Sequence, residues 1–167
     1  MKVKETIAFI GETDEVCSQL IQKLAAENYP LVLVTREGNY FGDLTRQILG
    51  RIPDADIEMI DCVREGCWEA DVIVLRNRAS LDTELSEKIR EVASRKILVC
   101  LLDAGDPISF PALKNMQQLL PNTEVIQVIA DPASREMQIA GAEAPAAVIE
   151  NIFNRAGYAS KLWQVTG

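Results

Sequence analysis

The residues best suited to bind a ligand lie in a turn near the amino terminus. A short apolar segment at residues 6–10 is followed by the segment GETDEV at residues 11–16. A glycine fingerprint for a dinucleotide would place glycine at positions 11, 13 and 16. The first glycine makes the tight turn, the second admits the pyrophosphate, and the third allows close helix packing. Only Gly11 is present, so Thr13 and Val16 add bulk at the other two positions.

This turn permits two interpretations. In the first, Thr13 donates its hydroxyl to a phosphate, and a cofactor binds in an adapted turn at Gly11, Thr13 and Asp14. In the second, the carboxylates of Glu12, Asp14 and Glu15 cap the following helix and repel phosphates from its N-terminus. The residues of the turn leave both interpretations open.

Apolar and helix-like segments alternate along the chain and indicate its fold. Continuous apolar segments are typical of strands buried on both faces, and apolar residues at helical spacing predict helices between them. The predicted strands cover residues 6–10, 31–34, 56–61, 71–75, 97–102 and 125–129, with two more at 137–140 and 162–165. The predicted helices cover residues 14–28, 38–50, 82–94, 111–120 and 145–156, with a helical turn at Trp68.

Such alternation predicts an α/β fold with a doubly wound, mostly parallel sheet of the Rossmann type, in three layers. We expect one domain over residues 1–167 and the strand order 3-2-1-4-5-6. In a sheet of this order, ligands bind at the carboxyl ends of the strands, in the crevice between strands one and four. The glycine turn at residue 11 would lie at that crevice.

The amino-acid composition limits the partners and the chemistry that the chain could have. The net charge of −8 makes nucleic acid a poor partner, because an acidic surface repels phosphate backbones. The absence of histidine removes the commonest general acid–base group and metal ligand, and we expect no metal site. We interpret Cys17, Cys62, Cys67 and Cys100 as reduced core thiols. Because neither a membrane span nor a secretion signal is visible, we expect a cytoplasmic protein.

Several segments, taken in order, resemble a known family. They are IAFIG (7–11), VTR (34–36), ADVIVL (70–75), KILV (96–99) with Asp103, Asp106 and Pro107, EVIQV (124–128), IAGAEA (139–144), GY (157–158) and QVTG (164–167). This series resembles the NADP-binding domain of the deazaflavin (coenzyme F-420)-dependent NADP reductases. The same domain occurs in metalloreductases of the six-transmembrane epithelial antigen type.

The resemblance implies NADP as cofactor. In that family the arginine after the second strand contacts the 2′-phosphate of NADP, which assigns Thr35 and Arg36 to this role. A hydroxyl and a guanidinium suit a phosphate monoester. The alternative interpretation of Arg36 is an exposed loop arginine.

The chain departs from the family after the fourth strand. There the family has a small, apolar stretch under the nicotinamide half of the cofactor, whereas this chain has RNRAS at residues 76–80. We place Arg76 and Asn77 at the cofactor site. The two arginines of this segment would hold either an anion or the carboxylates of Asp103 and Asp106.

The sequence therefore predicts an NADP-reductase-like Rossmann domain that binds NADP(H) weakly or in an adapted site. If it is an enzyme, it is an NADP-dependent oxidoreductase, and no catalytic residue is assigned. The alternative is a non-catalytic sensor or oligomeric interaction module that has lost dinucleotide binding. The expected partner is a small-molecule nucleotide, with no membrane partner and with a homo-oligomer as a further expectation.

Overall fold

The computed structural model describes residues 4–10, 14–35, 41–76, 83–102 and 110–164. Within these residues the chain forms eight strands and six helices, which alternate except that the seventh strand follows the sixth directly. In chain order they are β1 (Ile7–Ile10), α1 (Glu15–Ala26), β2 (Leu31–Val34), α2 (Gly42–Arg51), β3 (Ile57–Ile60), α3 (Val63–Glu69), β4 (Val72–Arg76), α4 (Thr83–Val92), β5 (Ile97–Leu102), α5 (Phe110–Leu119), β6 (Glu124–Asp131), β7 (Glu136–Gly141), α6 (Glu143–Arg155) and β8 (Ala159–Gln164).

The described strands form one sheet in the order β3-β2-β1-β4-β5-β6-β7-β8. The first six strands are parallel, and the predicted order of 3-2-1-4-5-6 is confirmed. β7 then pairs antiparallel with β6, and β8 pairs parallel with β7. The sheet is thus mostly parallel, and β7 and β8 extend it beyond the six strands of the predicted order.

Helices cover both faces of the sheet, which explains why the central strands are apolar without alternation. Ile7 and Phe9 of β1 pack in a cluster with residues of α1, α2 and α6. Ala8 and Ile10 pack in a second cluster with residues of α3, α4 and α5. Burying one large aliphatic side chain stabilises the fold by about 1.5–3 kcal/mol, so both layers are needed for stability.

Among the described residues, β3 has a partner strand on one side only. Its burial reflects this position, since Ile60 is buried while Glu58 and Met59 are exposed. The partial exposure of β3 is therefore that of a strand at the edge of the described sheet.

The cysteines divide into two groups. Cys17, Cys67 and Cys100 are buried and form no disulfide, and burial raises the pKa of Cys67 and of Cys100 to about 12. The prediction of core thiols is confirmed for these three. It is wrong for Cys62, which is exposed because it precedes α3 in a surface connection.

Gly66 allows α3 to lie directly against β2. A Cβ atom at this position would stand 2.5 Å from Cγ2 of Val34, a stiff, buried side chain in the last residue of β2. This contact sets the depth of α3 over the strand that ends at the ligand-binding edge of the sheet.

We predict that Gly66→Ala lowers the free energy of unfolding by about 1–3 kcal/mol, because α3 or β2 must shift to admit the methyl group. Gly50→Ala is the matched control. It lies in α2, and among the described residues no atom stands within 4 Å of an added Cβ. Because alanine favours helix, the control should stabilise by up to about 1 kcal/mol. Urea denaturation measures both, and equal effects would contradict the packing argument.

Candidate functional site

The sheet reverses its winding at β1. Ile10, the last residue of β1, pairs with Val34 of β2 on one side and with Leu75 of β4 on the other. Thr35 and Arg76 are the next residues, so they flank the end of β1, with their backbones about 10 Å apart at two strand spacings. The crevice of a doubly wound sheet lies at this reversal. We refer to it as the switch-point crevice.

Asp14 caps the helix that follows β1. Its backbone is extended, and its Oδ1 accepts a hydrogen bond of 2.9 Å from the amide of Cys17. A short carboxylate at this position satisfies one of the free amides of the first helical turn. Of the two interpretations of this turn, the structure thus shows helix capping by the carboxylate of Asp14.

The second oxygen of Asp14 binds Arg76. The Nε of Arg76 donates to Oδ2 at 2.5 Å, and Nη1 of Arg76 donates to the carbonyl oxygen of Leu101 in β5 at 3.0 Å. Arg76 has the strand parity of Val72 and Val74, which pack on the α1 side of the sheet. Its side chain is 2% exposed and that of Asp14 is 23% exposed. Because a buried charge is costly without a partner, this contact helps to stabilise both charged groups in the fold.

The carboxyl of Asp14 is ionised at neutral pH. Burial by itself would raise its pKa, but the hydrogen bonds from the Cys17 amide and from Arg76, with the charge of Arg76, lower the pKa below the usual value of 3.8. A full negative charge therefore lies at the N-terminus of α1. That end of a helix attracts anions, and here the anion belongs to the protein.

Thr35 lies at the end of β2, beside the connection to α2. Its amide donates to the carbonyl oxygen of Ile60 at 2.8 Å, and its hydroxyl donates to the same oxygen at 3.4 Å. α2 begins after Phe41 without a side-chain cap. In its first turns the buried hydroxyl of Thr45 has no hydrogen-bond partner among the described residues.

The structure brings together three of the predicted site residues, Asp14, Thr35 and Arg76, at one edge of the sheet. The other predicted site residues, namely Gly11, Thr13, Arg36 and Asn77, lie outside the described residues, as do Asp103 and Asp106, the carboxylates considered as partners of Arg76. Sequence reasoning did not pair Arg76 with Asp14. The available signal was the strand order, because it places the end of β4 beside the end of β1.

A separate cavity of about 250 Å³ lies between the β6–β7 turn and β8. Its lining includes Asp131, Glu136 and Lys161, but none of the three site residues. Two carboxylates beside one lysine would repel the phosphates of a dinucleotide, so this cavity is not the candidate site.

No group of three or more histidine, cysteine, aspartate or glutamate side chains could hold a metal ion within the described ranges. In the same ranges, no helix combines the length and apolar character that crossing a membrane requires.

Solved structures share this fold. Over 95% of its length, the chain superimposes on an imine reductase from Myxococcus stipitatus in complex with NADP⁺, with a TM-score of 0.70 and 17% identity. Over 96% it superimposes with a TM-score of 0.72 on a candidate F420-dependent NADP reductase from Arthrobacter sp. FB24, at 16% identity. Over 97% it superimposes with a TM-score of 0.63 on a pyrroline carboxylate reductase from Plasmodium falciparum with NADP bound, at 12% identity.

These likenesses confirm the predicted Rossmann-type fold and its similarity to NADP reductases. The chain spans 55% of the imine reductase, 84% of the Arthrobacter protein and 58% of the Plasmodium reductase. The chain matches no protein-family profile, and a comparison with curated proteins finds no significant match.

We predict that Arg76→Met lowers the free energy of unfolding by about 3 kcal/mol, because it leaves the carboxylate of Asp14 half-buried without its counter-ion. Arg64→Met is the control. Arg64 pairs with Glu91 at the same separation of 2.5 Å, but both side chains are about half exposed. Solvent screens that pair, and its loss should be barely measurable. Chemical denaturation measures the free energy of unfolding of both variants. Similar losses for Arg76→Met and Arg64→Met would contradict the account.

A second prediction concerns pH. Since folding lowers the pKa of Asp14, the ionised carboxyl stabilises the fold at pH values above the unfolded pKa of about 3.9, and this stabilisation is lost as pH falls through the folded pKa. Wild type should therefore be more stable than Asp14→Asn at pH 6, and the difference should shrink below about pH 4. Urea denaturation across this range measures the difference. A difference that stays constant into acid would show that the charge of Asp14 does not contribute.

Proposed function

We propose that the chain binds NADP(H) in the switch-point crevice and serves as the cofactor-binding part of an NADP-dependent oxidoreductase. The observation that carries this proposal is the reversal of the sheet at β1, which places Asp14, Thr35 and Arg76 at one edge. In sheets of this type the reversal is the ligand-binding position. The fold shared with reductases bound to NADP supports the same choice of ligand.

The proposed adenosine side lies between β2 and α2. Thr35 ends β2, α2 starts without a side-chain cap, and the Thr45 hydroxyl lacks a partner among the described residues. These groups, together with Arg36, suit the 2′-phosphate of NADP. The sequence has no acidic residue at position 35 or 36 to hold a free ribose hydroxyl, although Glu37 is close. This combination favours NADP over NAD.

The proposed role of the described residues is binding and orientation. A bound NADP(H) would itself supply the hydride. Within the part of the crevice that the structure describes, Asp14 is ionised and Arg76 is buried, so neither is placed to donate a proton to a substrate. The sequence has no histidine for this step. We therefore assign no catalytic residue.

A second candidate function is a non-catalytic module. The observation that favours it is the Asp14–Arg76 ion pair, which fills the crevice with the protein's own charges. For the same reason we propose that wild-type binding of NADPH is weak, in the high-micromolar range. We also propose a cytoplasmic location, where buried free thiols such as Cys67 and Cys100 stay reduced.

We predict that NADPH binds more tightly than NADH and that Arg36→Ala removes most of this preference. A charge-assisted contact of this kind contributes on the order of 1–3 kcal/mol. Arg46→Ala is the control, because Arg46 is an exposed arginine of α2 that pairs with Asp43. Titration calorimetry with both cofactors measures the preference. Equal affinity of wild type for NADPH and NADH would refute the role of Arg36, and no binding of either cofactor would favour the non-catalytic module.

A further inference from the structure

Strands β7 and β8 have one face that α6 covers and one face that is open within the described part of the chain. On the covered face, Met137 and Ile139 pack in the cluster that includes residues of α6. The Ser160 hydroxyl, on the same face, donates to the carboxylate of Glu150 in α6 at 3.0 Å. Because side chains alternate between the two faces of a strand, the intervening residues point away from α6. These are exposed or half-buried, namely Glu136, Gln138, Ala159 and Lys161.

The strand register arranges the side chains of this open face in two rows across β6, β7 and β8. The first row contains Asp131, Glu136 and Ala159, and the second row contains Ile129, Gln138 and Lys161. Neighbours within a row are about 5 Å apart, which is one strand spacing, and the rows are about 7 Å apart, which is two residues along a strand. Ala159 has the smallest side chain of the six, and it lines the cavity of about 250 Å³ between the β6–β7 turn and β8.

The charged groups of this cavity are separated by sign. Asp131 and Glu136 lie directly opposite each other on β6 and β7, an arrangement of like charges that is unfavourable without a cation. The amide of Ala133 donates to Oδ1 of Asp131 at 3.0 Å and lowers the pKa of that carboxyl, so it is ionised at neutral pH. Lys161 lies one strand and one row from Glu136, with about 8 Å between their Cβ atoms.

These three charges keep their capacity to bind a ligand. Among the described residues, Asp131, Glu136 and Lys161 form no ion pair with each other or with another side chain. The cavity therefore has a negative end that lacks a cation and a positive end that lacks an anion. A metal ion is a poor occupant, because two carboxylates supply too few oxygen ligands and the lysine repels it.

We propose that this cavity binds a small zwitterion, an amino acid whose ammonium group pairs with Asp131 and Glu136 and whose carboxylate pairs with Lys161. The separation of the two ends favours an ω-amino acid, in which several methylene groups lie between the charges. The methyl group of Ala159 contacts these methylene groups, and the Gln138 amide donates to the ligand carboxylate. The site is separate from the switch-point crevice, so this inference does not rest on the proposed function.

The experiment follows the backbone amide NMR signals of the isotopically labelled full chain during titration with three probes that share one carbon chain. γ-Aminobutyrate carries both charges, butylamine carries only the ammonium, and butyrate carries only the carboxylate. We expect γ-aminobutyrate to shift the signals of Glu136, Ala159 and Lys161 and to bind about threefold or more tightly than butylamine, the size of effect that one exposed ion pair gives. Butyrate should cause no shift there, because the two carboxylates repel it.

Three variants test the residues of the cavity. Glu136→Gln and Lys161→Met each remove one charged contact and should weaken binding of γ-aminobutyrate about threefold or more. Lys161→Met should also bind γ-aminobutyrate and butylamine equally, since it no longer holds the carboxylate. Ala159→Leu fills the cavity and should abolish binding.

The matched controls are Glu124→Gln and Lys23→Met. Each removes the same charge from an exposed position outside the cavity, and each should leave the dissociation constant unchanged. The amide spectrum of every variant shows whether it is folded. The two charge variants change exposed side chains, so they test the proposal whether or not Ala159→Leu folds.

Several results would overturn the proposal. Equal binding of γ-aminobutyrate and butylamine to wild type would show that Lys161 holds no carboxylate. Binding that persists in folded Ala159→Leu, or that a control weakens as much as its matched variant, would show that the ligand lies elsewhere. The absence of any shift with γ-aminobutyrate at high millimolar concentration would show that the cavity does not take a zwitterion.

Discussion

The pairing of β1 between β2 and β4 is the interaction on which the rest of the structure depends. Its four residues are buried and pair along their whole length with both neighbours. Because the strands are parallel, their carboxyl ends lie at one edge of the sheet. Asp14, Thr35 and Arg76 come together for this reason, although they are far apart in the chain.

The ion pair at this edge has a cost that the surrounding structure offsets. Arg76 ends a strand that is otherwise buried and apolar, and a lone guanidinium in that place would be strongly destabilising. The Asp14 carboxylate and the Leu101 carbonyl accept hydrogen bonds from the guanidinium, and the Cys17 amide holds Asp14 in position.

Most of the fold could be predicted from local pattern. Continuous apolar segments such as residues 31–34 and 97–102 identified the buried strands with correct limits, and the strand order followed from the alternation with helices. The exposure and the contacts of single residues were harder to predict. The exposure of Cys62 depends on the connection into α3, and the partner of Arg76 depends on a contact between residues 62 positions apart, which no local pattern contains. Asp14 was recognised as a cap because capping is a local interaction, whereas its pairing with Arg76 is not.

The central claim is the proposal that this chain binds NADP(H) in the switch-point crevice at the start of α1. The most direct test is a titration of the isotopically labelled protein with NADPH, followed through its backbone amide NMR signals. The account predicts that the largest shifts occur in the first turn of α1, at Glu15, Val16 and Cys17, and at the ends of β2 and β4. Shifts confined to the cavity beside β7 and β8, or no shifts at a saturating concentration of NADPH, would contradict it.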